Sequence, residues 1–237
     1  TKAVDRDRTI LVTSAISGCT DTLIKIGHLA SERDESYKLL IDELQSKHHT
    51  IIKNFLPVEK QVDSKTVCDS LFDSLRSIAH GVYLLGELSP ASLDAIQAFG
   101  ELWSTKILAT KLASIGIATK WIDSRQIIRT IAKGDKNIVD TQKTYSRVNE
   151  MVENNPITQL FVLPGFIASD KQGRTTTLGR GGSDYTASLY AVGCKARVLE
   201  IWTDVTGMMT SNPKVVPTAR TINNISYKAA LELSHFG

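Results

Sequence analysis

At 237 residues the chain is long enough to bury a sizeable core, as one large domain or two small ones. Its 42% apolar and 22% charged residues are those of a soluble globular protein, and a net charge of only +3, with lysines and arginines interspersed among acids, argues against the clustered basic face of a nucleic-acid binder. Cys19, Cys68 and Cys194 are odd in number, widely spaced and without a CxxC, so neither a disulfide framework nor a zinc site fits and a reducing compartment is indicated.

In chain order, "RTILVTSA" (Arg8 to Ala15) is a short apolar run with β-branched residues, which predicts a buried strand. Gly18 breaks the run, and Thr20 or Asp21 is a candidate cap for a helix beginning near Thr22. Tyr37, Leu40, Ile41 and Leu44 stand at helical spacing and predict a second helix. Residues 57–63, "PVEKQVD", suggest a linker, followed by a helical stretch to Leu88. His48 and His49 are adjacent, about 100° apart on a helix, so they cannot share a metal as an i, i+4 pair does, and they read as solvated. Ser89-Pro90 opens a further helix with Ile96, Phe99, Trp103 and Ile107 on one face. Gly100-Glu101 falls in its middle, where a glycine costs about 1 kcal/mol relative to alanine and invites a reason such as close approach of another backbone.

"ATKWIDSRQII" predicts a strand leading into a turn, residues 141–153 a helix, and "TQLFVLPGF" a buried strand ending at Pro164-Gly165. A glycine-rich loop follows, then a helix from about Ser183 to Val192, the strand "ARVLEIWTD", a polar segment and a last helix, "SYKAALELSHFG". Strands alternating with helices, apolar nearly end to end, predict an α/β fold: a three-layer sandwich with a mostly parallel central sheet and helices on both faces. Ligands of such folds bind outside the carboxyl ends of the strands. Three polar clusters stand at those ends: Ser14 to Thr20, Pro164 to Ser183, and Thr203 to Lys214. No run of about 18 apolar residues and no charged-then-apolar leader is present, so no membrane partner is expected and the setting reads as cytoplasmic.

The segment "TTTLGRGGSDYTA", residues 175–187, carries the sharpest chemistry. Gly179, Gly181 and Gly182 let backbone N–H groups turn inward, and Ser183 or Asp184 stands where a helix begins. Arg180 supplies a planar fork for a carboxylate or phosphate. On pattern alone two readings stand, an anion-binding loop or a mobile surface loop in which Ser183 or Asp184 only caps the next helix. The loop is neither a GxxxxGK[ST] phosphate loop nor a dinucleotide fingerprint.

"GRTTTLGRGGSDYTA", with "GFI" upstream, "WTDV" downstream, "VTSAISGCTD" near the start, "GEL" and Ser104 at 100–104, "DSRQIIRT" at 123–130 and "SYKAALELSHFG" at the end, resembles the aspartate kinases of the amino-acid kinase superfamily. The last segment and "WTDVTGMMT" are most similar to the kinase portion of bifunctional aspartate kinase–homoserine dehydrogenases. The resemblance covers essentially the whole chain. It implies the amino-acid kinase fold over residues 1–237, a single catalytic domain, and transfer of the ATP γ-phosphoryl group, with Mg2+, to the side-chain carboxylate of L-aspartate. It also implies a homo-oligomer in the full-length protein.

Matched position by position, Arg180 is expected to clasp an aspartate carboxylate and Glu101 to meet the substrate ammonium. Ser14 and Thr20 would add hydroxyls around substrate and transferring phosphate, and Gly181, Gly182 and Ser183 belong to the same substrate loop. Ser14, Arg180 and Asp184 are the residues expected to act in catalysis, and no protein metal cage is expected. Thr203, Asp204, Met209 and Lys214 match the nucleotide side, although by residue type alone Thr203 and Asp204 also suit a turn.

Where many relatives read "TDVDGIYTADPR", this chain has "TDVTGMMTSNPK": Met209 replaces an aromatic, Asn212 an acid and Lys214 an arginine, which keeps the charge but loses bidentate geometry. Ala168 stands where a glycine usually follows "GFI". Both ends look cut, and the family's "KFGGTS" and "AKVLHP"-type segments, each with a phosphate-facing lysine, are missing from these residues. A kinase-domain fragment of little activity is therefore expected. The alternatives are another amino-acid kinase, or an amino-acid-binding domain without catalysis.

Overall fold

The computed structural model describes residues 8–133, 136–203, 207–213 and 215–236. It divides into a larger unit, Thr1–Leu199, and a smaller one, Glu200–Gly237.

In the larger unit the apolar runs become strands as their composition dictates. β1 (Thr9–Thr13), β2 (Thr119–Trp121) and β5 (Leu160–Pro164) form a parallel sheet in the order β1-β5-β2, with Thr13 level with Pro164 and Trp121 level with Val162. β5 is central and buried along its whole length, so "LFVLP" has no polar alternation to show. Its side chains alternate between faces: Leu160 and Val162 pack with Ala109 and Leu112, while Phe161 and Leu163 pack with Val148, Met151, Leu189 and Tyr190.

On the first face lie α1 (Cys19–Ser31), α2 (Ser36–Phe55), α3 (Val58–Leu85), α4 (Pro90–Gln97) and α5 (Phe99–Ser114). A short α6 (Ser124–Ile127) follows β2, and the other face carries α7 (Thr141–Glu153) and α8 (Gly182–Gly193). The three-layer, parallel-sheet expectation is met, and α7 has the bounds its sequence predicts.

Several elements differ from the sequence reading. α1 starts at Cys19, not near Thr22: Gly18 is the N-cap at φ 75, a left-handed conformation that favours glycine, and no side chain caps the helix. Residues 58–63 are helix, since Pro57 occupies the N-cap position of the 28-residue α3, where a proline breaks nothing. The helix opened by Ser89, whose hydroxyl accepts from Ser92 N at 3.1 Å, is interrupted at Ala98, so Gly100-Glu101 lies in the first turn of α5 rather than mid-helix. Two hairpins have no clear signal in the sequence, β3 (Thr130–Lys133) with β4 (Lys136–Val139) and β6 (Ile167–Ser169) with β7 (Thr175–Thr177), because each strand has only three or four residues. The β6–β7 turn is held by Asp170, which accepts from Gln172 N, Arg174 N and Arg174 Nε at 2.7–2.9 Å.

His48 is fully buried rather than solvated: its ring lies 4.8 Å from Trp103, Nδ1 meets Leu44 O at 2.7 Å, and burial holds its pKa below the usual histidine value. His49 is half-buried and meets Asp69 at 2.6 Å.

Residues 196–203 form no strand. Val198, Leu199, Ile201 and Trp202 are exposed, and strand propensity is realised only where a neighbouring strand supplies ladder partners. In the smaller unit Met209 bridges antiparallel to Thr221, Thr210 N donates to Arg220 O at 2.9 Å, and α9 (Tyr227–Phe236) follows. Among the described residues no helix is long and apolar enough to cross a membrane.

The reason for Gly100 is visible. A Cβ built there would lie 2.7 Å from Ala15 Cβ and 3.5 Å from Cys19 Sγ, so glycine lets the β1–α1 loop settle on α5. Gly100→Ala is expected to destabilise the fold by about 1–3 kcal/mol, as overpacking of a close contact does. Urea denaturation at constant m-value measures it, and an unchanged midpoint would contradict the contact.

Candidate functional site

Two loops at the carboxyl ends of β1 and β5 lie side by side because those strands are neighbours. Gly165 N donates to Thr13 O at 2.9 Å, continuing the ladder by one residue. Gly165 also permits the start of α8 to close in: a Cβ there would lie 2.5 Å from Ser183 Oγ and 2.8 Å from Ser183 Cα. Phe166 is held at φ 65, an unfavourable backbone for a bulky residue, by two partners. Its N–H donates to Thr186 Oγ1 at 3.0 Å and its carbonyl accepts from Leu178 N at 2.8 Å. Behind them Ser124 Oγ donates to Pro164 O at 2.5 Å and accepts from the buried Tyr190 hydroxyl at 3.0 Å. The "PGF" turn and the arginine loop are thus one interlocked piece.

Within that piece Gly179 and Gly181 stand at φ 74 and 70, and Gly181 is the N-cap of α8 with no side-chain cap. Ser183 and Asp184 therefore lie inside the first turn and neither caps the helix, which removes the capping reading of the loop. Arg180 is exposed at the bend, and among the described residues its guanidinium has no hydrogen-bond or ion-pair partner. Asp184 is also exposed, with Ser183 half-buried against Gly165. A bare helix N-terminus beside a free guanidinium is an anion-binding arrangement.

Glu101 is the opposite case. Only 3% exposed, it accepts one bond from Ala15 N at 3.2 Å through Oε1, while its Oε2 is buried with no partner. No cation pairs with it among the described residues, so burial dominates and pushes its pKa up to about 7, against the weaker opposing pull of the Ala15 N–H. The Ser104 and Thr105 hydroxyls donate to its backbone carbonyl at 3.2 and 2.7 Å, and Ser104 reaches Ser14 O at 2.8 Å. Ser14 is exposed at the end of β1 and Thr20 half-buried in the first turn of α1. Burial also pushes the Cys19 thiol up to about 12, which keeps it protonated and unreactive.

The structure brings Ser14, Glu101, Gly182 and Ser183 around the joined strand ends, through Ala15 and Gly165. A further link runs from β7 to α4, where Thr177 Oγ1 donates to Asp94 Oδ1 at 2.7 Å. Lys47, unnoticed in the sequence, donates to Ser17 O at 2.9 Å from α2 and brings a positive charge beside the β1–α1 loop. On the expected nucleotide side Thr203 is exposed and Met209 half-buried, both in the smaller unit, whereas Asp204 and Lys214 lie outside the described residues.

The sequence pattern of the amino acid kinase family matches residues 2–237. The chain belongs to the amino acid kinase family. Within it, the chain is 30% identical over 232 residues to a chloroplastic bifunctional aspartokinase/homoserine dehydrogenase 1 of Zea mays, covering 98% of this chain and 25% of that protein. It is equally 30% identical to the lysine-sensitive aspartokinase 3 of Escherichia coli strain K12, covering 98% of this chain and 50% of that enzyme. The chain thus spans a quarter to a half of the length of these relatives. The crystal structure of E. coli aspartokinase III in complex with aspartate and ADP superposes with a TM-score of 0.84 at 29% identity, over 96% of this chain and 49% of that one.

The raised pKa of Glu101 has a thermodynamic signature. The folded-state value near 7 lies above the ordinary 4.5, so between those values the folded chain holds a proton that the unfolded chain has released. Stability therefore falls as pH rises through that window and levels off above it. In Glu101→Gln that fall is removed, so from pH 4.5 to 8 the variant gains on the wild type by on the order of 3 kcal/mol. Chemical denaturation across that range measures the difference; parallel pH profiles would contradict the raised pKa.

Proposed function

We propose that the chain is an aspartate kinase domain, transferring the γ-phosphoryl group of ATP to the side-chain carboxylate of L-aspartate to give 4-phospho-L-aspartate, the first step towards lysine, threonine and methionine. The single observation that carries the reading is Glu101: a buried, unneutralised carboxylate is complementary to an ammonium group, and a free amino acid brings one. Arg180 then takes a substrate carboxylate, so a ligand with one ammonium and two carboxylates satisfies both groups and leaves one carboxylate to react.

That carboxylate is ionised at neutral pH and needs no general base. The work is positioning two anions in line and neutralising the charge between them. Ser14, Thr20 and Ser183 supply hydroxyls, Gly181 and Gly182 the backbone N–H side of the loop, and Asp184 a carboxylate beside them on the first turn of α8. Thr203, Asp204, Met209 and Lys214 are assigned to the nucleotide. Mg2+ belongs to the same reading as the phosphates' partner. The exposed carboxylate of Asp184 is assigned to face that metal. Three free cysteines suit a reducing, cytoplasmic setting, and a homo-oligomer in the intact protein completes the proposal.

Arg180→Ala and Glu101→Ala in the intact protein are expected to lower kcat/KM for aspartate by about 100-fold or more, through the loss of a charge-assisted contact, while KM for ATP changes by less than roughly threefold. A coupled ADP-release assay reads both. Wild-type efficiency in both variants would refute this assignment of the substrate site.

A further inference from the structure

Between α3 and α5, with Trp121 of β2 on one side, lies a half-open cavity of about 340 Å3, within the roughly 300–1,000 Å3 range of small-ligand sites. None of Ser14, Glu101 or Arg180 lines it, so it is separate from the site described above. Its walls are mostly apolar, yet they include a half-buried ammonium. Lys106 Nζ sits 3.6 Å from the centre of the Trp121 ring, and burial lowers its pKa. No carboxylate pairs with it among the described residues. Asp123, whose charge acts on it, is instead gripped by Arg125 through three contacts of 2.6–3.1 Å.

A second lining residue is also incompletely satisfied. Trp103 is buried and its Nε1 has no hydrogen-bond partner, whereas Trp121 Nε1 already donates to Thr105 Oγ1 at 2.8 Å. Lys60 and Asp63, both exposed, contribute opposite charges to the lining, so its formal net charge is that of Lys106. A cation is therefore repelled. A phosphate dianion would have to shed its hydration into walls that return too few hydrogen bonds. A single carboxylate on a small apolar body meets these features: the charge for Lys106, and the aliphatic walls of Val67, Leu71 and Ile107 for the body, since Trp103 is stacked on Phe72 at 4.0 Å and the Trp121 face is covered by Lys106 itself.

We propose that this cavity binds a carboxylate carried on a small apolar body, with the carboxylate on Lys106 and the body against Val67, Leu71 and Ile107. Titration calorimetry of the intact protein with indole-3-propionate, and with its neutral primary amide, tests it. The acid is expected to bind with a Kd below about 1 mM, and the amide about tenfold more weakly or worse. In Lys106→Met, checked for folding by thermal melting, the acid is expected to bind no better than the amide does to wild type. Absence of binding by the acid at millimolar concentration, or equal binding of acid and amide to wild type, would overturn the proposal. The second comparison needs no variant.

Discussion

The chemistry of this chain turns on one unbalanced charge, the carboxylate of Glu101 buried at the first turn of α5 with a single N–H for company. A carboxylate removed from water without a cation protonates or waits for one, and a pKa near 7 means that it does both at neutral pH. The surrounding fold is arranged around tolerating this. α5 stops being a continuation of α4 at Ala98, Gly100 admits Ala15, and Ala15 N–H is thereby placed on Oε1. A fold that buries an acid without a partner gives up stability, and such a concession is expected where binding a ligand restores it.

The arginine loop answers the opposite problem, keeping a guanidinium free. Gly165 and Gly182 allow two segments to approach within distances that any side chain would forbid, and Phe166 accepts a left-handed backbone to complete the lock. The loop is therefore positioned by backbone contact and by Thr186, not by its own arginine, which leaves Arg180 available. The structure thus carries one buried anion, held against the loop that follows β1, and one exposed cation, on the loop that precedes α8.

Much of this was legible in the residues. β1 and β5 announce themselves as apolar runs, α2 and α7 by their spacing, and the glycines of 179–182 by having no other reason to cluster. The misses share physical causes. "PVEKQVD" reads as a linker because Pro57 is ambiguous between breaking a helix and opening one. "ARVLEIWTD" has the composition of a strand, but pairing is a property of neighbours and not of the segment. The state of Glu101 was legible only as a suspicion raised by Gly100, since burial depends on what another loop does 86 residues away. Lys47 and Lys106 look like any solvated helix lysine until the packing around them is known.

The central claim is that Glu101 waits, half protonated, for the ammonium of a free amino acid. Titration calorimetry of aspartate binding near pH 7, repeated in buffers of different ionisation enthalpy, counts the protons exchanged on binding. An arriving ammonium must draw the Glu101 pKa back down, so the account predicts release of about half a proton at pH 7, disappearing in Glu101→Gln. Aspartate binding with no proton release, or with the same release in the variant, would contradict it.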